Sequence, residues 1–180
     1  MMFASQSTQW LAAVEHVCHH MRLEEQVQHL AFMADTETER PDYNPRAAAA
    51  SFLAADGLGA FYCNDQGKPV LCGGWQPTLP GVWSSWMVGT DEAWESYWRD
   101  VTKGTRWTMD KLMQGGARRL ETCVLASRTA AWEWFERHLG MQREGVRREY
   151  TPAGEDVFLY SYTRSDWVAR LGDDDGQRSR

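Results

Sequence analysis

The feature that most constrains how this 180-residue chain can fold is a strand, helix, strand signal at its centre. Residues 82–88 form an apolar, aromatic run that ends at Gly89. Thr90 can then cap a long helix, with Asp91 and Glu92 in its first turn and Trp94, Trp98, Val101, Thr105 and Leu112 along one side. Gly115-Gly116 closes that helix, and residues 120–126 supply a short apolar strand. Strands joined through a helix run parallel, with the helix laid against the sheet. The remaining elements have to be arranged around that pair.

Upstream, the apolar spacing is helical. Ser7 or Thr8 can cap a helix carrying Trp10, Val14, Val17 and Met21, with Leu11 and Cys18 widening the stripe. Residues 23–33 continue as a second helix and 36–43 as a polar loop, after which Asn44-Pro45 opens a short helix over 46–55, stopped at Gly57 or Gly59. From Gly59 the pattern changes: 60–63 and 69–72 read as a hairpin around Asn64-Asp65-Gln66-Gly67, followed by a turn at 77–81. Downstream, Ser127-Arg128-Thr129 leads into an aromatic helix that ends at Leu139 and Gly140, and strands at 142–150 and 156–163 flank a final turn. The order predicts one α/β domain of the mixed α+β kind over residues 1–166, its mostly antiparallel sheet flanked by helices on both faces, with a polar tail at 167–180.

Composition narrows the function. No run of 18 apolar residues offers a membrane span, and the first residues lack the basic and apolar segments of a secretion signal, so a cytoplasmic protein is expected. Cys18, Cys63, Cys72 and Cys123 lack zinc-site spacing and read as free thiols. A net charge of -6 argues against coating nucleic acid. His16 and His20 could form half of a metal site, but no third ligand accompanies them at a recognisable spacing, and no metal is expected. Of ten tryptophans, eight fall between Trp75 and Trp134, more than one small core can bury. Exposed indoles beside arginine make a protein-binding surface, an alternative to an aromatic core with partly buried rings.

The segment Arg119-Leu120-Glu121-Thr122-Cys123-Val124-Leu125-Ala126-Ser127, leading into Ala130-Ala131-Trp132-Glu133-Trp134-Phe135-Glu136-Arg137-His138-Leu139-Gly140-Met141, resembles the second half of the GNAT superfamily of acyltransferases. The resemblance covers roughly residues 8–164. Within that family, Trp86-Met87-Val88-Gly89-Thr90-Asp91 and the helix after it are similar to small GNAT-like proteins of short-tailed lytic phages, including the internal virion type. That likeness implies a phage protein placed in a host cytoplasm or a virion.

The resemblance implies a sheet whose two parallel strands, 82–88 and 120–126, splay apart to hold acetyl-coenzyme A (acetyl-CoA). The implied cofactor contacts are Met87, Val88, Gly89 and Thr90, with Ser127, Thr129 and Phe135 from the second strand and its helix. The family's Gln/Arg-X-X-Gly-X-Gly/Ala phosphate loop is replaced by Val88-Gly89-Thr90-Asp91-Glu92-Ala93, which puts two carboxylates where a phosphate sits. Each such repulsion at ~5 Å and an effective dielectric of ~20 is on the order of 3 kcal/mol. Arg99, Lys103 and Arg106 could meet a displaced anionic cofactor or form a solvated face. The family's proton-donating tyrosine is replaced by Trp132, Trp134 and Phe135. Glu121, with Asp91 second, is the implied base, and Glu121 paired with Arg118 or Arg119 is its structural alternative. Two functions follow: an N-acetyltransferase acting on an amine, with a host protein as one acceptor, or a non-catalytic protein that binds a host or virion protein.

Overall fold

The structure, a computed structural model, describes residues 2–3, 7–33 and 42–178. One mixed sheet contains β1 (Met2–Phe3), β2 (Leu58–Cys63), β3 (Pro69–Leu79), β4 (Val82–Gly89), β5 (Arg119–Leu125), β6 (Gln142–Arg147) and β7 (Val157–Thr163). Their order is β1-β2-β3-β4-β5-β7-β6, and every neighbouring pair is antiparallel except β4 and β5. The helices are α1 (Thr8–His19), α2 (Leu23–Met33), α3 (Pro45–Leu53), α4 (Asp91–Ser96), α5 (Trp98–Gln114), α6 (Thr129–Trp134) and α7 (Arg164–Arg178), with a π turn at Phe135–Leu139. This is the mixed α+β architecture expected from the sequence, and no described helix is long and apolar enough to cross a membrane.

Local chemistry starts the helices. The Ser7 hydroxyl accepts from the Trp10 amide at 3.2 Å, and the Asn44 side chain accepts from Arg46 and Ala47 at 3.0 and 3.2 Å, with Pro45 in the first turn. Burial then fixes the layers. On one face Trp10, Val14 and Val17 of α1 pack with Phe61, Cys72 and Val88. On the other, Met109, Leu112 and Met113 of α5 pack with Leu120, Val124 and Tyr160. Gly73 and Gly74 let the central strands pass closely: a Cβ on Gly74 would lie 2.6 Å from the Leu58 carbonyl oxygen.

Several boundaries differ from the sequence reading. The long helix from Thr90 is two helices, broken at Tyr97, whose ring packs 5.6 Å from Tyr62 and whose hydroxyl accepts from the Asp65 amide at 3.3 Å. Contacts distant in sequence set that break. β3 runs through Gly73, Gly74 and Pro77, so the turn into β4 is confined to Pro80 and Gly81. The expected loop at 36–43 lies largely outside the described residues, although the Tyr43 hydroxyl donates to the Cys18 carbonyl at 2.6 Å. Of the segment read as a polar tail, residues 167–178 belong to α7. Trp167 Nε1 donates to Asp110 at 3.0 Å, and Arg164 donates to the Met113 carbonyl at 2.6 Å, so its first turn is docked on α5.

Candidate active site

The parallel ladder between β4 and β5 has three rungs: Val82 with Arg119, Trp83 with Leu120, and Ser84 with Glu121. Beyond it β4 continues to Gly89 paired with β3, and β5 continues to Leu125 paired with β7. One edge of each strand is left without a ladder partner, and the two edges bound a gap. A cavity of about 840 Å³ passes through it, reaching His29 and Phe52 on one face of the sheet and Thr105 and Phe135 on the other. That volume suits a small-molecule site.

Helix α2 supplies one wall. Glu25, Gln28, His29 and Phe32 all line the cavity, at the i, i+3, i+4, i+7 spacing of a single helix face. Glu25, only 3% exposed, closes the end where β4 and β5 terminate. Its carboxylate accepts from the Gly89 amide and from Arg22 Nε at 3.0 Å, with Arg128 Nη2 at 3.7 Å. Arg128 also donates to the Gln28 side chain at 3.0 Å, while the Arg22 guanidinium lies 4.8 Å above the Trp94 ring. Burial pushes the Glu25 carboxyl upward, opposed by Arg22, the Gly89 amide and Arg128. Burial also pulls the Arg128 guanidinium down, against the pull of Glu25.

His29 sits further inside. Its ring lies 5.1 Å from Phe52, and Phe52 stacks on Trp86 with centroids 4.6 Å apart and planes at 14°. Burial holds the imidazole below its ordinary value and so favours its neutral form. The opposite wall is also aromatic: Trp134 meets Trp94 edge to face at 5.5 Å, and its Nε1 donates to Thr102 at 2.8 Å.

The residues anticipated from sequence divide between the cavity and its surroundings. Met87, Val88 and Phe135 line the cavity. Gly89 and Thr90 do not: the Gly89 amide is engaged by Glu25, the Thr90 amide donates to Val70, and the Thr90 hydroxyl caps α4. Ser127, Thr129 and Asp91 are exposed and outside the lining. Glu121 stands at the last paired rung, also outside it, where Arg119 Nε donates to Glu121 at 2.8 Å and Arg119 Nη1 to Glu144 at 2.7 Å. Glu92 accepts from Asn64 at 2.8 Å, Lys103 pairs with Asp100 at 3.0 Å, and Arg106 donates to the His138 carbonyl at 2.6 Å. Trp107 is the exposed indole of the ten; Trp75, Trp86, Trp94, Trp98 and Trp134 line the cavity.

Sequence reasoning overlooked Arg22, Glu25 and His29, and gave Arg128 no part in the cavity. The spacing of 25, 28, 29 and 32 was the available signal for α2. Among the described residues, no group of three His, Cys, Asp or Glu side chains could hold a metal ion.

No protein-family model matches the sequence, and no curated protein matches it. Solved structures do. The ribosomal-protein-S18-alanine N-acetyltransferase of Escherichia coli is 19% identical, with a TM-score of 0.62 over 90% of this chain and 92% of its own. A variant of spermidine N-acetyltransferase from Vibrio cholerae is 10% identical, with a TM-score of 0.67 over 95% and 99%. A GNAT-family acetyltransferase from Bacillus anthracis is 12% identical, with a TM-score of 0.63 over 91% and 94%. The gap between β4 and β5, the helices on both faces and these likenesses agree: the chain has the fold of the GNAT acetyltransferases.

Proposed function

We propose that the protein is an N-acetyltransferase that moves the acetyl group of acetyl-CoA to an amine. The observation that carries this reading is the cavity passing through the sheet where the β4/β5 ladder stops. Acetyl-CoA supplies an activated acyl carbon whose thiolate leaves with the bonding electron pair. The unpaired edge of β4 over residues 85–88 fits its extended arm, because a strand edge offers backbone donors and acceptors to whatever lies alongside. Met87, Val88 and Phe135 supply apolar contact.

The phosphate end fits differently. The Gly89 and Thr90 amides have internal partners, so the cations available at the mouth are Arg22 and Arg128, both drawn toward Glu25. On this reading the two guanidiniums meet the diphosphate as Glu25 gives them up.

Calorimetric titration with acetyl-CoA tests the reading: micromolar binding is expected, and no binding at millimolar ligand overturns it. A second reading is favoured by the same carboxylate. If Glu25 is a permanent internal substitute for a phosphate, the fold is retained for its surface, and the protein binds a host or virion protein without chemistry. Absent acetyl-CoA binding together with a stable complex would support that alternative.

A further inference from the structure

Resting on the transfer reading, we infer that His29 takes the proton from the acceptor amine, and that the acceptor is a small primary amine on a flat apolar body. His29 is the histidine on the α2 wall of the cavity, and no other described residue forms a hydrogen bond with its ring nitrogens, so one of them is available to accept. Its neighbours define the acceptor. Phe52 and Trp86, stacked at 4.6 Å, and Phe32, one turn beyond His29 on α2, make this part of the wall aromatic. Stacked rings attract a flat apolar body and, through their faces, an ammonium before it loses its proton.

Charge on this side argues against a polyamine. The acid on the α2 wall is Glu25, which is buried and already shared by Arg22, Arg128 and the Gly89 amide, and the other carboxylate of the lining, Glu133, pairs with Arg137 at 3.6 Å. In the protein without acetyl-CoA, the state in which the amines are titrated, a second ammonium would find no unshared carboxylate there and would face two guanidiniums.

The groups around His29 leave it neutral near pH 7. Glu25 lies one turn back on α2 with Arg22 and Arg128 around it, and Tyr43 packs edge-on at 6.3 Å with its hydroxyl donating to Cys18. α3 faces the ring with the uncharged Phe52, which stacks in turn on the uncharged Trp86 of β4. Proton balance is complete with these parts. The ammonium gives one proton to the imidazole, and the exposed nitrogen lone pair forms the new carbon–nitrogen bond. The carbon–sulfur bond breaks with its electron pair on sulfur, the second nitrogen proton passes to that sulfur, and the imidazolium returns its proton to water.

The test follows the five histidine imidazoles by NMR in the full-length protein, with His29→Gln identifying the signal. 2-Phenylethylamine is expected to shift the His29 resonance, and spermidine to leave it in place. The His29 titration midpoint should fall below 6.5. With 2-phenylethylamine as acceptor, His29→Gln should lower kcat/KM by about 100-fold at pH 7, keep the acetyl-CoA Kd within about twofold, and abolish the rise in rate through that midpoint. An unmoved His29 signal at saturating 2-phenylethylamine, an equal shift with spermidine, or a His29→Gln rate within about threefold of wild type would each overturn the inference. Failure of acetyl-CoA to bind overturns the transfer reading and the proton role with it, while the NMR titrations still decide amine recognition.

Discussion

Gly89 donates its backbone N–H, at the last residue of β4, to the carboxylate of Glu25 on α2. The same carboxylate faces Arg128, just past β5, so one side chain ties together the two strand ends that bound the gap. The repulsion anticipated from Asp91 and Glu92 is relocated: Asp91 is exposed, Glu92 is engaged by Asn64, and the charge at the strand ends belongs to Glu25.

Glu25→Gln separates charge from shape at this point. The amide oxygen can still accept from Gly89, but Arg22 and Arg128 lose their counter-charge. Removing a carboxylate ~5 Å from a bound phosphate relieves up to about 3 kcal/mol. Acetyl-CoA should therefore bind between about tenfold and about a hundredfold tighter to the variant, read by calorimetry. Equal or weaker affinity would show that the two arginines do not meet the phosphate. Glu25→Ala should instead cost about 1–3 kcal/mol of stability in urea unfolding, because the Gly89 amide loses its acceptor and the half-buried Arg22 and Arg128 lose their shared partner.

What was legible in the sequence follows the range of the interactions. Asn44-Pro45, Ser7 and Thr90 act within one turn, and the helices they start are where the sequence put them. The parallel pair was legible because a strand, a helix and a second strand admit few arrangements. Tyr97 was not, since its break depends on Tyr62 and Asp65, more than 30 residues away. On α2 the helix was legible, but not that Glu25 and His29 face a gap made by β4 and β5, far along the chain. Glu121 drew attention as a carboxylate on the right strand, and its alternative pairing with Arg119 was legible too, because residues two apart on one strand share a face.

Glu144 gives a pH signature remote from the cavity. Hydrogen bonds from Arg119 and Ser161 hold its carboxyl at about 2, against an ordinary 4.5. A depressed carboxyl contributes stability that is fully present above its unfolded value and is lost as pH falls through the folded one. The melting temperatures of wild type and Glu144→Gln should differ most above about pH 5 and converge as pH falls toward about 2. A gap that stays constant over that range would mean the pair is not formed in solution.

Gly74→Ala tests the close approach of the central strands. The added methyl would meet the Leu58 carbonyl oxygen at 2.6 Å and Trp86 Nε1 at 2.9 Å, and the first of these is backbone that cannot swing aside. Overpacking of this kind costs about 1–3 kcal/mol. Because Trp86 also lines the cavity, the variant should weaken 2-phenylethylamine binding more than acetyl-CoA binding. A variant as stable as wild type in urea would mean the strands are further apart than the structure has them.

Residues after Thr163 should prove to be part of the folded domain. The Thr163 amide donates to Asp166 at 2.8 Å and the Asp166 amide to the Thr163 hydroxyl at 3.3 Å, a reciprocal cap that starts α7. Asp110 of α5 then receives both Trp167 Nε1 and Arg170. Trp167→Ala removes a half-buried ring packed beside the α5 core cluster and leaves Asp110 with Arg170. The expected loss is about 2 kcal/mol in urea unfolding, below the range for a fully buried tryptophan. Thr163→Ala should cost about 1 kcal/mol through the cap alone. The two sites share α7, so the double variant should lose less than the sum of the two: once the helix start frays, Trp167 has less to hold. Simple additivity would mean that Trp167 docks on α5 independently of the cap.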